Sequence, residues 1–326
     1  MNKYFPIDCT KLVLAVVIVL LHTNSFLPGG DIALQRAFYN LAVPLFFCFS
    51  GFFFARNVDF KKSLRHLTAL YLIWTLVLFP LGYFRFRDLT LAEAIINLLT
   101  SGFIPTGWFI VALVQCMGLT ALIWKIRNKR AAAALLAIAG LICFAYCSLY
   151  NPYSHTEAGA LLNTDDGMAG FIFLRLFWSF PRGMLYFVTG FAFMRLNIRV
   201  SRNVAWAAVT VTLAAFVAES VHDIAAYHLN DVFEPLSKPL LVGALMALLL
   251  AYSRPAPHVT AGKMCRESST MLYMAHPIII YLLDKTTGIK LGWTATAMVL
   301  AVFALMFYVY LLLRDRKGFG FLKYAT

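Results

Sequence analysis

The sequence predicts an all-α, polytopic membrane protein of about ten transmembrane helices, with N- and C-termini cytoplasmic. Three observations predict it. Of the 326 residues, 61% are hydrophobic and the mean hydropathy is +0.75. Only 13% are charged, about half the share of a soluble domain. Apolar stretches of roughly 20 residues, the length a helix needs to cross a bilayer, recur from one end of the chain to the other. No soluble core could hide that much apolar surface, so an ordinary cytosolic or secreted enzyme, a disordered chain and a coiled coil are all excluded. The stretches leave no room for a soluble domain, and no internal repeat or linker divides the chain, so residues 1–326 read as a single membrane domain. Of the six cysteines, only Cys265 falls in a polar segment, and none has C-x-x-C spacing. A disulfide framework, a zinc site and a redox motif are therefore not expected.

The ten segments lie roughly at 9–27, 38–55, 66–84, 105–124, 131–150, 173–194, 203–221, 236–253, 268–284 and 292–313. The first lacks the basic start and small-residue cleavage site of a signal peptide. It carries Asp8, Lys11 and His22. Asp8 and Lys11, three apart, are helix neighbours able to neutralise each other. Lys11 and His22, eleven apart, share one face roughly 16 Å apart along the axis. Taken alone, Lys11 reads as a snorkelling side chain, and His22 as either a helix–helix hydrogen bond or a functional group. In the second segment Pro44 predicts a kink, and Ser50-Gly51 allows another backbone to approach closely. Trp108 follows the Pro105-Thr106-Gly107 break that opens the fourth, a position usual for the interfacial aromatic belt. Arg182, after Pro181 in the sixth, lies deep enough to need a partner or water. Glu219 ends the seventh and is expected at the depth of His22, paired with His22 or Arg182. The ninth begins Glu267-Ser268-Ser269-Thr270, a credible cap, and carries Tyr273 and His276-Pro277, where the proline predicts a bend. Amphipathic stretches near 89–99 and 168–177 are expected on the outer surface, and the polar connection 151–170 reads as an outer loop and a lid.

Orientation follows from Lys and Arg in the loops. With the N-terminus inside, the inner side collects Lys3, Arg56, Lys61, Lys62, Arg65, Lys125, Arg127, Lys129, Arg130, Arg195, Arg199, Arg202, Arg254, Lys263, Arg266, Arg314, Arg316, Lys317 and Lys323. Most acids, Asp31, Asp88, Glu93, Asp223 and Glu234 among them, fall on the other side. The net charge of +13 is thus mostly an orientation signal, and no nucleic-acid partner is implied.

Ile7-Asp8-Cys9-Thr10-Lys11 through Leu21-His22-Thr23, followed by Val43-Pro44-Leu45-Phe46-Phe47 to Ser50-Gly51-Phe52, resembles the acyltransferase-3 family of integral membrane acyltransferases. Lys61-Lys62-Ser63-Leu64-Arg65, Gly107-Trp108-Phe109 and Leu272-Tyr273-Met274-Ala275-His276-Pro277 extend the resemblance over nearly the whole chain. The family motif has arginine, ten residues, then histidine. Here Lys11 stands at the arginine position, keeping the charge without the planar fork. Pro28-Gly29-Gly30-Asp31-Ile32, Val43 to Phe47 and Glu219-Ser220 are also similar to the membrane domain of vancomycin-resistance-type membrane-bound serine racemases.

The first resemblance implies transfer of an acetyl or other short acyl group from cytoplasmic acyl-CoA (acetyl-CoA), used as co-substrate with no metal. The acceptor would be a hydroxyl or amine of a surface sugar or small molecule. His22 would be the base, or an acyl carrier, with Glu219 as its catalytic partner. Lys11, Ser50, Trp108, Arg182 and His276 would contact substrate, and Lys61, Lys62 and Arg65 would hold the CoA phosphates. Partners would be the lipid bilayer, the small-molecule or glycan acceptor and a second copy in a homo-oligomer, at a multi-pass site in the cell membrane. The second resemblance implies an alternative: uptake of a small amino acid such as serine, with Arg182 holding its carboxylate and Glu219 its ammonium group.

Overall fold

The computed structural model describes residues 4–150, 167–229, 234–253, 259–316 and 318–326. Among these it contains helices and no strand. In chain order they are α1 (Phe5–His22), α2 (Ile32–Tyr39), α3 (Ala42–Phe54), α4 (Phe60–Val77), α5 (Phe79–Phe86), α6 (Leu91–Thr100) and α7 (Gly107–Ile123). There follow α8 (Lys129–Tyr150), α9 (Gly167–Phe177), α10 (Phe180–Arg195), α11 (Arg202–Tyr227), α12 (Lys238–Ala251), α13 (Val259–Thr287) and α14 (Gly292–Leu313), then a short 3-10 turn (Gly320–Tyr324). Each of the ten apolar segments falls on helix. By length and composition six helical stretches can cross a membrane, and a seventh if α4 and α5, bent by 83°, count as one span. The expected lid, 151–170, lies largely outside the described residues.

Helices α3 and α10 form the centre and make the most extensive contact in the molecule. Their sequences explain it. Phe47, Phe49, Phe52, Phe187 and Tyr186 are buried side chains of these two helices, and glycines let the backbones meet. A Cβ on Gly51 would overlap the Phe187 carbonyl, and one on Gly190 would overlap the Cys48 carbonyl. Without a hydrophobic driving force between helices in lipid, such close backbone approach supplies the dispersion contact that holds them together. Around this pair α1 packs on α13, α8 on α10, α11 on α12, and α13 on α14.

Helix ends sit where the sequence supplies caps. Asp59 accepts from the Lys62 amide at the start of α4, and Thr90 with Glu93 makes a reciprocal capping box at the start of α6. One expected distortion is displaced. The second segment breaks at Asn40–Leu41, between α2 and α3, and Pro44 lies in the first turn of α3. There no intrahelical donor is lost, so the proline introduces no kink. Helix α13 continues as helix through Pro277. The sixth segment breaks at Trp178–Ser179, and Pro181 occupies the first turn of α10. The stretch before α7 is a turn in which the Phe103 amide donates to Tyr71 Oη of α4 at 2.6 Å and the Gly107 amide to the Ile104 carbonyl at 2.8 Å. Three helix N-termini, those of α3, α7 and α10, therefore open toward the same end of the bundle, where α1 terminates.

Candidate active site

α1 ends at His22, and α13 brings His276 beside it. The two imidazole rings stack with centroids 5.0 Å apart at 26°. Their setting follows from Pro277. In a helix the carbonyl of Tyr273 would take the amide proton four residues on, but proline has none. His276 Nδ1 lies 2.8 Å from that carbonyl oxygen instead. A carbonyl oxygen can only accept, so Nδ1 carries the proton, and the neutral ring keeps its lone pair on Nε2. His276 is buried and His22 is exposed. The pair thus offers one anchored ring and one accessible ring.

His22, Trp108 and Tyr273 are shared by two cavities at this end. The smaller, of about 250 Å³, adds Pro105, Thr106, His276 and Pro277. The larger, of about 300 Å³, adds Asn24, Arg36, Tyr39, Asn40, Trp178 and Arg182. Val43, Trp108 and Arg182 come from the first turns of α3, α7 and α10. Helix N-termini carry partial positive charge, two arginines add to it, and no carboxylate lines this larger cavity among the described residues.

Arg182 is held by a buried network. Its Nε lies 3.2 Å from Glu234 Oε1, Tyr186 Oη donates to Glu234 Oε2 at 2.6 Å, and Lys238 Nζ stands 3.5 Å from the same carboxylate. Four of these side chains are almost wholly excluded from solvent. Trp178, Phe177 and Trp108 present their rings 4.5, 5.3 and 5.4 Å from the guanidinium carbon, adding cation–π attraction. The sequence reading gave Arg182 the wrong acid. Glu219 accepts from the Leu236 and Ser237 amides at 2.6 and 2.7 Å, capping the start of α12, and lines neither cavity. The reason is reach: the exposed amides ahead of α12 lie beside it on α11 and take both carboxylate oxygens. Glu234 was read only as an outer-loop acid. Its i,i+4 spacing to Lys238 at a helix start was the available signal.

The opposite end of the bundle carries the basic connections. Here a cavity of about 460 Å³ is lined by Lys11, Ser50, His66, Lys263, Arg266 and Glu267, together with Phe46, Phe109 and Tyr273. Lys11 Nζ sits 4.5 Å above the Phe53 ring. Asp8, expected to neutralise Lys11, forms an ion pair with Arg266 at 2.5 Å. Lys61, Lys62 and Arg65 do not line this cavity. They are exposed on the first turns of α4, ahead of His66 and Leu67, which do face it, and Lys61 borders a separate groove against α7. The cavity's cations come from α1 and α13 instead.

One residue belongs to all three cavities: Tyr273, buried, one turn before His276. Of the substrate residues expected from sequence, Lys11 and Ser50 line the basic cavity. Trp108, Arg182 and His276, with His22, line the cavities at the other end. Sequence reasoning missed Tyr273, Trp178, Arg36 and Glu234 as members of the site. Among the described residues no group of three His, Cys, Asp or Glu side chains is arranged to hold a metal ion.

Comparison with known proteins bears on what this geometry is for. No curated protein and no solved structure matches the chain. A family model described as an acyltransferase domain matches residues 6–314, which takes in every helix from α2 to α14 and nearly all of α1. A membrane-embedded helical bundle with a paired-histidine site is thus joined to a known chemistry, and the chain belongs to the acyltransferase-3 family.

Proposed function

We propose that the protein moves a short acyl group from acyl-CoA, bound in the basic cavity on the cytoplasmic side, to a hydroxyl-bearing acceptor in the cavities at the opposite end. The observation that carries this reading is the stacked His22–His276 pair, which borders the cavities at one end and lies one helical turn from Tyr273, a residue that also lines the basic cavity. Lys11, Lys263 and Arg266 match the phosphates and adenosine-linked charges of CoA. The accessible imidazole of His22 takes the proton of the acceptor hydroxyl as its oxygen attacks the thioester carbonyl. The C–S bond then breaks, and the departing CoA thiolate takes the proton that His22 accepted, which restores the neutral imidazole. His276, with Nδ1 tied to the Tyr273 carbonyl, keeps Nε2 as a fixed polar contact beside it. The three helix N-termini and Arg182 favour the negative charge that develops on the carbonyl oxygen.

The acceptor cavity gives a class of acceptor. Trp108 and Trp178 offer flat faces suited to a sugar ring, and Arg36 with Arg182 suits an acidic group on it, so the acceptor is a small acidic sugar or a comparable small molecule. A volume of about 300 Å³ is at the small end for ligand cavities. The alternative, uptake of a zwitterion, requires an ammonium ligand there, and Glu219 is bound to the start of α12. The test is transfer of labelled acetyl from acetyl-CoA into membrane glycans, compared between wild type and His22→Ala. A fall of about 100-fold or more is expected, the usual scale of general-base loss, with CoA binding retained. The proposal is dropped if the protein binds no acetyl-CoA and the substitution changes no acylated product.

A further inference from the structure

Three aromatic side chains from three helices touch one another pairwise between the basic cavity and the histidines. Phe46 of α3 and Phe109 of α7 have ring centroids 6.1 Å apart, Phe46 and Tyr273 of α13 6.0 Å, and Phe109 and Tyr273 5.4 Å. All three line the basic cavity, whereas only Tyr273 also reaches the two cavities at the other end. Phe109 is backed by Phe47 at 4.8 Å, and Phe47 is fully buried against Gly183 of the central helix pair. One wall of the ring is therefore set by the tightest packing in the molecule, while Phe46 and Phe109 themselves are only half-buried and face the cavity.

We infer that Phe46, Phe109 and Tyr273 form a constriction that selects the acyl chain by length, admitting two carbons and refusing long chains. This rests on the acyltransferase reading above. All three rings line the basic cavity, and Tyr273 is the residue that its lining shares with the two cavities beside His22. The physical signature is a reversal of the usual trend. An open apolar groove gains affinity as a chain lengthens, about fourfold for each methylene buried. A closed aromatic ring gains nothing after the first carbons, and each further one must be accommodated by displacing packed side chains.

The experiment uses thioether analogues, S-ethyl-CoA and S-octyl-CoA, which cannot be hydrolysed and need no acceptor. Their affinities, and that of CoA itself, are measured by calorimetry on the full chain in nanodiscs. Wild type is expected to bind S-ethyl-CoA at least tenfold more tightly than S-octyl-CoA. Phe109→Ala and Phe46→Ala should abolish or invert that preference, read as the ratio of the two analogue affinities within each variant. Phe109→Leu, which keeps most of the volume, serves should the alanine variants fail to fold, and should shift the preference part of the way. If the variants bind CoA yet keep the wild-type preference, or if wild type already prefers the octyl compound, the constriction is refuted and the acyltransferase reading stands. If no CoA compound binds wild type, the acyltransferase reading falls, and this inference with it.

Discussion

The carboxylate of Glu234 illustrates what a single buried charge does here. It accepts from Tyr186 and pairs with both Arg182 and Lys238, so it fixes the arginine that faces the acceptor cavity. Removing one member of a buried ion network costs roughly 3–5 kcal/mol. Glu234→Ala is therefore expected to lower the thermal unfolding midpoint in detergent clearly, whereas Glu219→Ala should cost only about 1 kcal/mol, the scale of a lost helix cap. Equal losses in the two variants would contradict this assignment. The residue scale is also where sequence was least informative. His22, Arg182 and His276 were legible as ionisable groups in apolar surroundings. Which acid Arg182 meets was not, because pairing across helices depends on rotation about each axis and on a carboxylate that lies beyond any apolar segment. The role of Pro277 was half legible: it was read as marking a bend at His276, whereas the histidine side chain standing in for the amide that proline lacks came only from the structure.

At the scale of elements, period and apolar length sufficed to locate the helices, since each of the ten segments falls on one. They did not show that the second and sixth segments are interrupted near their starts, at Asn40–Leu41 and Trp178–Ser179. Those breaks build the acceptor cavity, because each begins a new helix whose first turn faces it. Pro44 was read as a kink, although a proline in a first turn equally well marks a start. The contact between α3 and α10 depends on two glycines in the same way that a ladder depends on its rungs being flush. Gly190→Ala would drive a methyl group into the Cys48 carbonyl, and the helices must part to admit it. Overpacking of this kind typically costs about 1–3 kcal/mol, so Gly190→Ala should unfold measurably earlier on heating. Gly243→Ala in α12, whose Cβ would meet nothing within 4 Å, should be neutral. An unaffected Gly190→Ala would mean that the two helices do not cross as described.

For the molecule as a whole, the family and the membrane class were legible from composition and a few short motifs, and the family match over residues 6–314 bears out the acyltransferase reading. The sidedness proposed from the basic loops has a direct test. A cysteine at Lys61, in the first turn of α4, and one at Glu93, in α6, lie at opposite ends of the bundle. With native cysteines replaced, an impermeant maleimide added to intact cells should label Glu93→Cys and spare Lys61→Cys, and the pattern should reverse in inverted vesicles. Labelling of both from one side would overturn the orientation.

The aromatic cluster between cavities that enter from opposite ends also has an electrical meaning. Voltage across a membrane falls where water is absent, so cavities entering from both ends compress the drop from the full hydrocarbon thickness to the depth of a few rings. A unit charge crossing that layer would exchange about 2.3 kcal/mol per 100 mV with the field. Acyl transfer in one direction, balanced by return of the acceptor's proton to the CoA thiolate in the other, would exchange none. On the proposed reading CoA would keep its phosphates, and the acceptor its acid, each outside the steep part of the gradient, so the cell's resting potential would neither drive nor oppose the reaction.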